Sequence, residues 1–365
     1  MSGVHHFVPV LHRGDAVGRH TLRLRDATRR RGIESNIFVD VVQDETADET
    51  LPAIAYAEGA QRGDVVVYQF ATASLMAPWL AGRTETLVVN YHNITPPELM
   101  APWDHHLALG QDRARDDLAV LAPRTALAIA DSAYNETHLA ESGFAATAVV
   151  PPSAALSDEV TAAPSPETMP DNAAGRRGGV WLAVGRVAPN KALEHSIAAL
   201  AAARQHADPG ATLRIVGKPV TDSYEQALRR YVADLGLEHA VSFSGYATDA
   251  AVAAAYRSAD VLVVTSEHEG FCVPVVEAMA AGLPVVAFDR GAVPEVLGGA
   301  GVVVTSREPY ALAAAIGAVL ADPARQTELA EAGRRRLAEL DLPNAADRFV
   351  DLLSQLREQG AAKRR

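Results

Sequence analysis

The stretch Ser266 to Gly282, SEHEGFCVPVVEAMAAG, follows the apolar run Asp260-Val261-Leu262-Val263-Val264. The run is short, continuous and rich in β-branched residues, as a strand buried on both faces is. Pro274 suits a first helical turn, where its missing N–H has no intrahelical use. Gly282 suits the residue just past a helix end. The stretch therefore reads as strand, short loop and helix N-terminus, with Glu269 and Glu277 around the turn.

Working outward, the same alternation fills both halves of the chain. Before this stretch, strands are expected at Val4–Val10, Glu34–Val39, Asp64–Tyr68, Thr86–Tyr91 and Ala126–Ala130, with a last one near Val149 to Pro152. Between them the pattern gives helices near Arg19–Arg31, Ser74–Leu80, Asp104–Leu121 and Tyr134–Glu141, with a loop at Pro96–Trp103. From Pro152 to Gly179 the composition changes, with Pro164, Pro166 and Pro170 followed by Gly175, Gly178 and Gly179, which reads as a linker. The alternation then restarts at Val180. Strands alternating with helices imply parallel sheets covered on both faces. The expected architecture is α/β, two doubly wound Rossmann-like domains facing across a cleft. Domain limits are expected at 1–170 and 171–343, with a C-terminal helix at 344–360 packing back on the first domain. Ligands on such sheets lie outside the carboxyl ends of the strands.

Composition narrows the function. A net charge of −12 argues against general nucleic-acid binding. The single cysteine, Cys272, excludes an internal disulfide and agrees with a reducing compartment. The first residues lack the long apolar core of a signal peptide, and no uninterrupted run is long enough to span a membrane, so a cytoplasmic location is expected. No G-x-G-x-x-G or P-loop pattern occurs, nor the H-E-x-x-H spacing of a zinc site, so a nicotinamide enzyme or an ATPase is not expected.

Two clusters could carry chemistry. Gly185-Arg186-Val187-Ala188-Pro189-Asn190-Lys191 joins a strand to a helix. Arg186 offers a planar fork to phosphate oxygens and Lys191 a point charge. The plain alternative is a loop with two solvated cations. The second cluster is the opening stretch. Helix N-terminal amides favour phosphate, and carboxylates beside them read hydroxyl groups, so the pair suits a sugar nucleotide.

At these residues the sequence resembles the family-4 glycosyltransferases of the GT-B fold. The matching pieces are VGRVAPNK (Val184 to Lys191), LRIVGKP (Leu213 to Pro219), Val241 to Gly301 with its EGF-x-x-P-x-x-E pattern, and, in the first half, GDAVG, YHN and ADSAYNETHL. The resemblance covers nearly the whole chain and is strongest from Val180 to Thr305. It implies a retaining enzyme that moves a hexose-type unit from a nucleoside diphosphate sugar to a hydroxyl acceptor, with no cofactor and no required metal. By resemblance, Glu277 binds the ribose hydroxyls and Glu269 lies against the donor sugar. The amides of Gly270, Phe271, Cys272 and Val273 face sugar and phosphates. Gly185 belongs to the loop whose Arg186 and Lys191 hold the diphosphate. His92 lines the reacting sugar, Gly14 and Gly18 bound a loop where phosphate and acceptor meet, Ser132 lines the cleft, and Lys218 begins the nucleotide-base loop. His92, Arg186, Lys191 and Glu269 form the expected catalytic set.

Plainer readings stand beside these. Glu269 and Glu277 could be a charge pair at a helix N-terminus, His92 a buried satisfied histidine, and Asp15 a helix cap. Cys272 stands where many relatives have glycine. Its place at a helix N-terminus predicts a lowered pKa and reactivity with thiol reagents. The arginines of Arg19–Arg31 read either as a solvated helix face, the favoured reading, or as a surface for weak peripheral contact with an anionic membrane. Two other functions stay open: a sugar-nucleotide epimerase of the same fold, and a catalytically silent binding protein. Donor base, sugar, acceptor and oligomeric state are not legible.

Overall fold

In the computed structural model, which describes residues 2–61, 63–153, 158–161 and 178–362, the apolar runs become strands of two separate parallel sheets. The first sheet holds β1 (Val4–Val10), β2 (Ile37–Val41), β3 (Thr50–Pro52), β4 (Val65–Phe70), β5 (Thr86–Tyr91), β6 (Thr125–Ala130) and β7 (Thr147–Val149), in the order β3-β2-β1-β4-β5-β6-β7. The second holds β8 (Val180–Val184), β9 (Thr212–Val216), β10 (Val241–Phe243), β11 (Val261–Val264), β12 (Val285–Phe288) and β13 (Val302–Val304), in the order β10-β9-β8-β11-β12-β13. Each order reverses once, between β1 and β4 and between β8 and β11. This is the doubly wound α/β architecture expected of a GT-B chain.

The chain divides into two units. One comprises residues 1–97, 106–155 and 341–365, and the other 98–105 and 156–340. The expected boundary at residue 170 and most of the expected linker fall in 154–157 and 162–177, outside the described residues.

In the first unit, β4 is buried along its whole length, as a strand covered on both faces must be. One face carries Phe7, Phe38, Tyr68, Phe70 and Tyr91 against Met76, Leu80 and Leu118. The other carries Val4, Val65, Val67 and Val88 against Leu24 of helix Ala16–Arg30 and against Phe349 and Leu353 of helix Ala345–Ala362. Leu24, Phe349 and Leu353 are completely buried. At about 1.5–3 kcal/mol per large apolar side chain, this burial is what holds the C-terminal helix in the unit.

The second unit builds its core from Trp181, Leu213, Ile215, Val261, Val263 and Val286 with Ile197, Leu200, Tyr224 and Ile316. Residues 98–105 join it because Ser223 Oγ donates to the Trp103 carbonyl at 2.8 Å and the Trp103 ring packs edge-on to Tyr224 at 5.0 Å. The expected loop at Pro96–Trp103 instead contains a helical turn, Pro97–Met100. The edge strand β3 and helix Ala53–Gly59 had no counterpart in the sequence reading.

Candidate active site

The order reversal between β8 and β11 decides where the two sequence clusters meet. Adjacent strands on either side of a reversal send their following loops apart and leave a crevice at their carboxyl ends. Here those loops are Gly185–Lys191, after β8, and Thr265–Cys272, after β11. They are tied together on both sides. Glu267 N–H donates to the Asn190 carbonyl at 2.8 Å, and Asn190 Nδ2 donates to the His268 carbonyl at 3.1 Å. Thr265 Oγ1 donates to the Lys191 carbonyl at 3.2 Å and lies 2.9 Å from Ser196 Oγ.

The recess so formed is lined by Gly185, Arg186, Lys191, Ser266, Glu269 and Cys272 among others. At its centre Lys191 Nζ donates to Glu269 Oε1, and Ser266 Oγ donates to the same oxygen at 2.6 Å. Burial works against the Lys191 ammonium, but the Glu269 carboxylate outweighs it and holds the amine above its ordinary range. Arg186 is exposed at the rim and forms no ion pair with the described residues. The recess thus holds one cation already neutralised by a carboxylate and one still open to an anion.

The backbone is strained on both sides of it. Ala192, directly after Lys191, has φ 45°, and Cys272, at the cap of helix Val273–Ala280, has φ 72°. Non-glycine residues adopt this left-handed region at a cost of about 1–2 kcal/mol, and such strain gathers at functional sites. At Cys272 it explains why glycine suits the position. The expected thiol reactivity is corrected here. Cys272 is buried, and burial first, with Glu269 adding to it, pushes the thiol pKa up, not down. Close backbone approach fixes two further glycines. A Cβ on Gly291 (φ 56°) would stand 2.5 Å from the Glu269 carbonyl oxygen, which accepts from Ala292 N–H. A Cβ on Gly217 would stand 1.9 Å from the Gly185 carbonyl oxygen.

Other expected donor residues lie beside the recess. Glu277, on helix Val273–Ala280, is buried, and Tyr256 OH donates to its Oε2 at 2.9 Å. Phe271 is buried, and Gly270 and Val273 are half-buried. The first turn of any helix has N–H groups that no intrahelical carbonyl takes, and residues 270–273 lead into that turn. Lys218, exposed at the end of β9, lies outside the recess, with Nζ 4.6 Å from the Tyr246 ring centroid.

The remaining predicted residues belong to the first unit. Gly18 packs against the His12 carbonyl, where a Cβ would stand at 1.8 Å, and its N–H donates to Asp15 Oδ1 at 2.6 Å. Asp15 is therefore the cap of helix Ala16–Arg30. Gly14 is exposed, with open space around its Cα. Ser132 caps helix Ala133–Glu141, accepting from Asn135 N–H at 3.1 Å. The His92 side chain is 4% exposed, with Nδ1 2.9 Å from Asp131 Oδ2 and Nε2 2.8 Å from the Gln69 amide. The arginine-rich helix is largely engaged within the unit. Arg23 donates to the Ser153 carbonyl, Arg25 pairs with Asp26 and Glu49, Arg29 donates to the Ser35 carbonyl, and Arg31 pairs with Asp347 and Asp351.

The sequence reading missed Ser266, Tyr256 and Gly291. Ser266 had a signal, since it opens the quoted stretch. Tyr256 and Gly291 reach the site only through the fold. Among the described residues no three His, Cys, Asp or Glu side chains gather as metal ligands, and no helix is long and apolar enough to cross a membrane.

Residues 165–336, which lie within the second unit, match the family model "Glycosyl transferases group 1". That stretch is similar to the group 1 glycosyl transferases over 172 of the 365 residues. Similar curated proteins include the MMP alpha-(1->4)-mannosyltransferase of Mycolicibacterium hassiacum, 36% identical over 42% of this chain and 36% of that one. Another is the D-inositol 3-phosphate glycosyltransferase of Corynebacterium urealyticum, 29% identical over 78% of this chain and 72% of that one. The matches to the first three such relatives cover only 27% to 36% of their length. Among solved structures, Anabaena HepE in complex with UDP-glucose superposes with a TM-score of 0.76 at 21% identity, covering 97% of this chain and all of that one. A sucrose-phosphate synthase from Thermosynechococcus elongatus gives 0.76 at 20% identity, covering 98% and 99%. The two-sheet fold is thus shared with these structures.

Proposed function

We propose that the protein is a retaining glycosyltransferase that moves a hexose-type unit from a nucleoside diphosphate sugar to a hydroxyl acceptor. The observation that carries this reading is the Lys191–Glu269–Ser266 contact beside an open Arg186 in one recess at the β8/β11 reversal. A diphosphate brings two negative groups and a sugar brings hydroxyls. Arg186 and Lys191 answer the first and Glu269 the second. Glu277, oriented by Tyr256, is assigned to the ribose. The family match and the UDP-glucose bound by a structural neighbour support the same class of donor.

In the proposed step the bond between the anomeric carbon and the leaving phosphate oxygen breaks. The acceptor oxygen bonds that carbon on the same face, and the acceptor proton passes to the leaving phosphate. Arg186 and Lys191 stabilise the charge that develops on the diphosphate, which is the role usually given to preorganised cations and dipoles. No nucleophilic side chain is required, and chelating agents are expected to leave the rate unchanged.

A thermal-shift screen of nucleoside diphosphate sugars tests the donor class. The correct donor at about 100 times its Kd should stabilise the protein by about 2.7 kcal/mol. Lys191→Ala should then lower kcat about 100-fold or more, and Glu277→Ala should chiefly raise the donor KM. A product with inverted anomeric configuration, or unchanged kinetics in both variants, would sink the proposal.

A further inference from the structure

A line of buried polar side chains in the first unit begins at a backbone group. Ser153 N–H donates to His20 Nδ1 at 3.0 Å, with Ser153 Oγ 2.8 Å from the same nitrogen. His20 Nε2 lies 2.9 Å from the Asn90 amide, and that amide lies 2.9 Å from the Gln69 amide. Gln69 in turn lies 2.8 Å from His92 Nε2 and 3.2 Å from His6 Nδ1, and the Asn90 atom that faces His20 also lies 3.3 Å from His92 Nε2, the longest of these contacts. His6, His20, Gln69 and Asn90 are each no more than 1% exposed. Gln69 and Asn90 face each other because they are register partners on β4 and β5.

The proton positions along this line follow from its first member. A neutral imidazole has one N–H and accepts at its other nitrogen. Burial first, then the neighbouring His92 and His6 rings and Arg23, hold His20 well below the usual imidazole range, so the ring is neutral. Ser153 N–H is fixed in the backbone, so Nδ1 accepts and Nε2 carries the proton. The Asn90 group opposite Nε2 is then the amide oxygen. An NH2 there would point donors at both nitrogens of His20 and demand an imidazolate. The Asn90 oxygen requires the NH2 of Gln69, whose second hydrogen points at His92 Nε2. That nitrogen must accept. His92 therefore carries its one proton on Nδ1 and gives it to Asp131 Oδ2. The Gln69 oxygen is left to accept from His6 Nδ1–H. Amide oxygen and nitrogen exchange places by a half-turn that moves nothing else. In either sense one end of the Asn90 amide has no protein partner, so that end does not discriminate. With both amides reversed, His92 would donate from both nitrogens, as an imidazolium on Asp131.

We propose that the Ser153 amide, acting through His20, Asn90 and Gln69, fixes His92 as the neutral tautomer protonated at Nδ1. The four are positioning residues. For the proposed transfer this deepens the role of His92, and only to that extent rests on it. The ring is then uncharged, with no proton to give from Nε2, so that nitrogen is not a general acid.

The test is a two-bond proton–nitrogen correlation spectrum of the full chain with 15N-labelled histidine, assigned through His92→Gln and His20→Gln spectra. His92 should show a pyrrole-like Nδ1 and a pyridine-like Nε2, and His20 the opposite pattern. An imidazolium at His92 near neutral pH, a proton on its Nε2, or a proton on His20 Nδ1 would overturn the inference. Asn90→Leu separates the relay from Asp131 acting alone. It should abolish the single tautomer at His92, whereas an unchanged His92 pattern in the folded variant would overturn the relay. If that variant does not fold, Gln69→Glu, which offers His92 Nε2 only an acceptor, should draw a proton onto Nε2, and an unchanged His92 pattern there would overturn the relay. Since the spectrum needs neither donor nor turnover, failure of the transferase proposal would be seen separately.

Discussion

Cys272 shows how much one backbone angle determines. Its φ of 72° is open to glycine without penalty, but to a residue with a Cβ only at about 1–2 kcal/mol. Cys272→Gly removes that strain, yet it also loosens the unfolded chain by about 0.5–1 kcal/mol and removes a buried thiol. The terms nearly cancel, so urea unfolding should place the variant within about 1 kcal/mol of wild type, with activity retained. Cys272→Val puts a β-branched residue where the chain turns left-handed and should destabilise by about 2 kcal/mol or more. Equal stability of the two variants would show that strain is not what the position selects. A single sequence could mark this cysteine as unusual but not give its angle, and the helix N-terminus pointed toward a lowered thiol pKa. Burial, with the Glu269 carboxylate adding to it against the opposing Lys191 charge, reversed that expectation.

The two loops of the recess owe their meeting to strand order. β8 and β11 are neighbours although two strands and three α-helices separate them in sequence. Gly291, after β12, then holds the Glu269 backbone from the other side. Gly291→Ala should destabilise by about 2 kcal/mol or more, from left-handed strain and from a Cβ only 2.5 Å from the Glu269 carbonyl. It should also weaken donor binding about 10-fold. Gly236→Ala is the control: its φ is 68°, but nothing lies within 4 Å of the added carbon. It should show strain alone, with donor binding intact. The long apolar runs were legible as strands because continuous Val, Leu and Ile cannot face water. β3 was not, because only Thr50 of its three residues is buried. The Pro97–Met100 turn was hidden by prolines that suit loops and first helical turns alike. Motif spacing exposed the clusters at Gly185–Lys191 and Ser266–Gly282. It could not expose the line from Ser153 to His92, whose members come from four separate places in the chain.

Seen as a whole, the molecule places neutral imidazoles deep in one of its units. Burial lowers the His6 pKa to about 3 and holds His20 well below 6.5. The unfolded chain takes up these protons below about pH 6.5 and the native state does not. Stability is therefore complete above that pH and falls as pH drops toward the native values. Two such groups should remove about 2 kcal/mol between pH 6.5 and 5.5, a loss read by denaturant midpoints across that range. Replacing His6 with Gln should shallow the slope, and a slope unchanged by the replacement would place the acid sensitivity elsewhere. The one cysteine also has a practical consequence at this scale. Because Cys272 is buried with a raised thiol pKa, the native protein is already a silent background for thiol dyes. Cysteines introduced at the exposed Glu45 and Glu331, one in each unit, should bind two dye equivalents and no third. Energy transfer between those dyes would then report directly whether a nucleoside diphosphate changes the distance between the units.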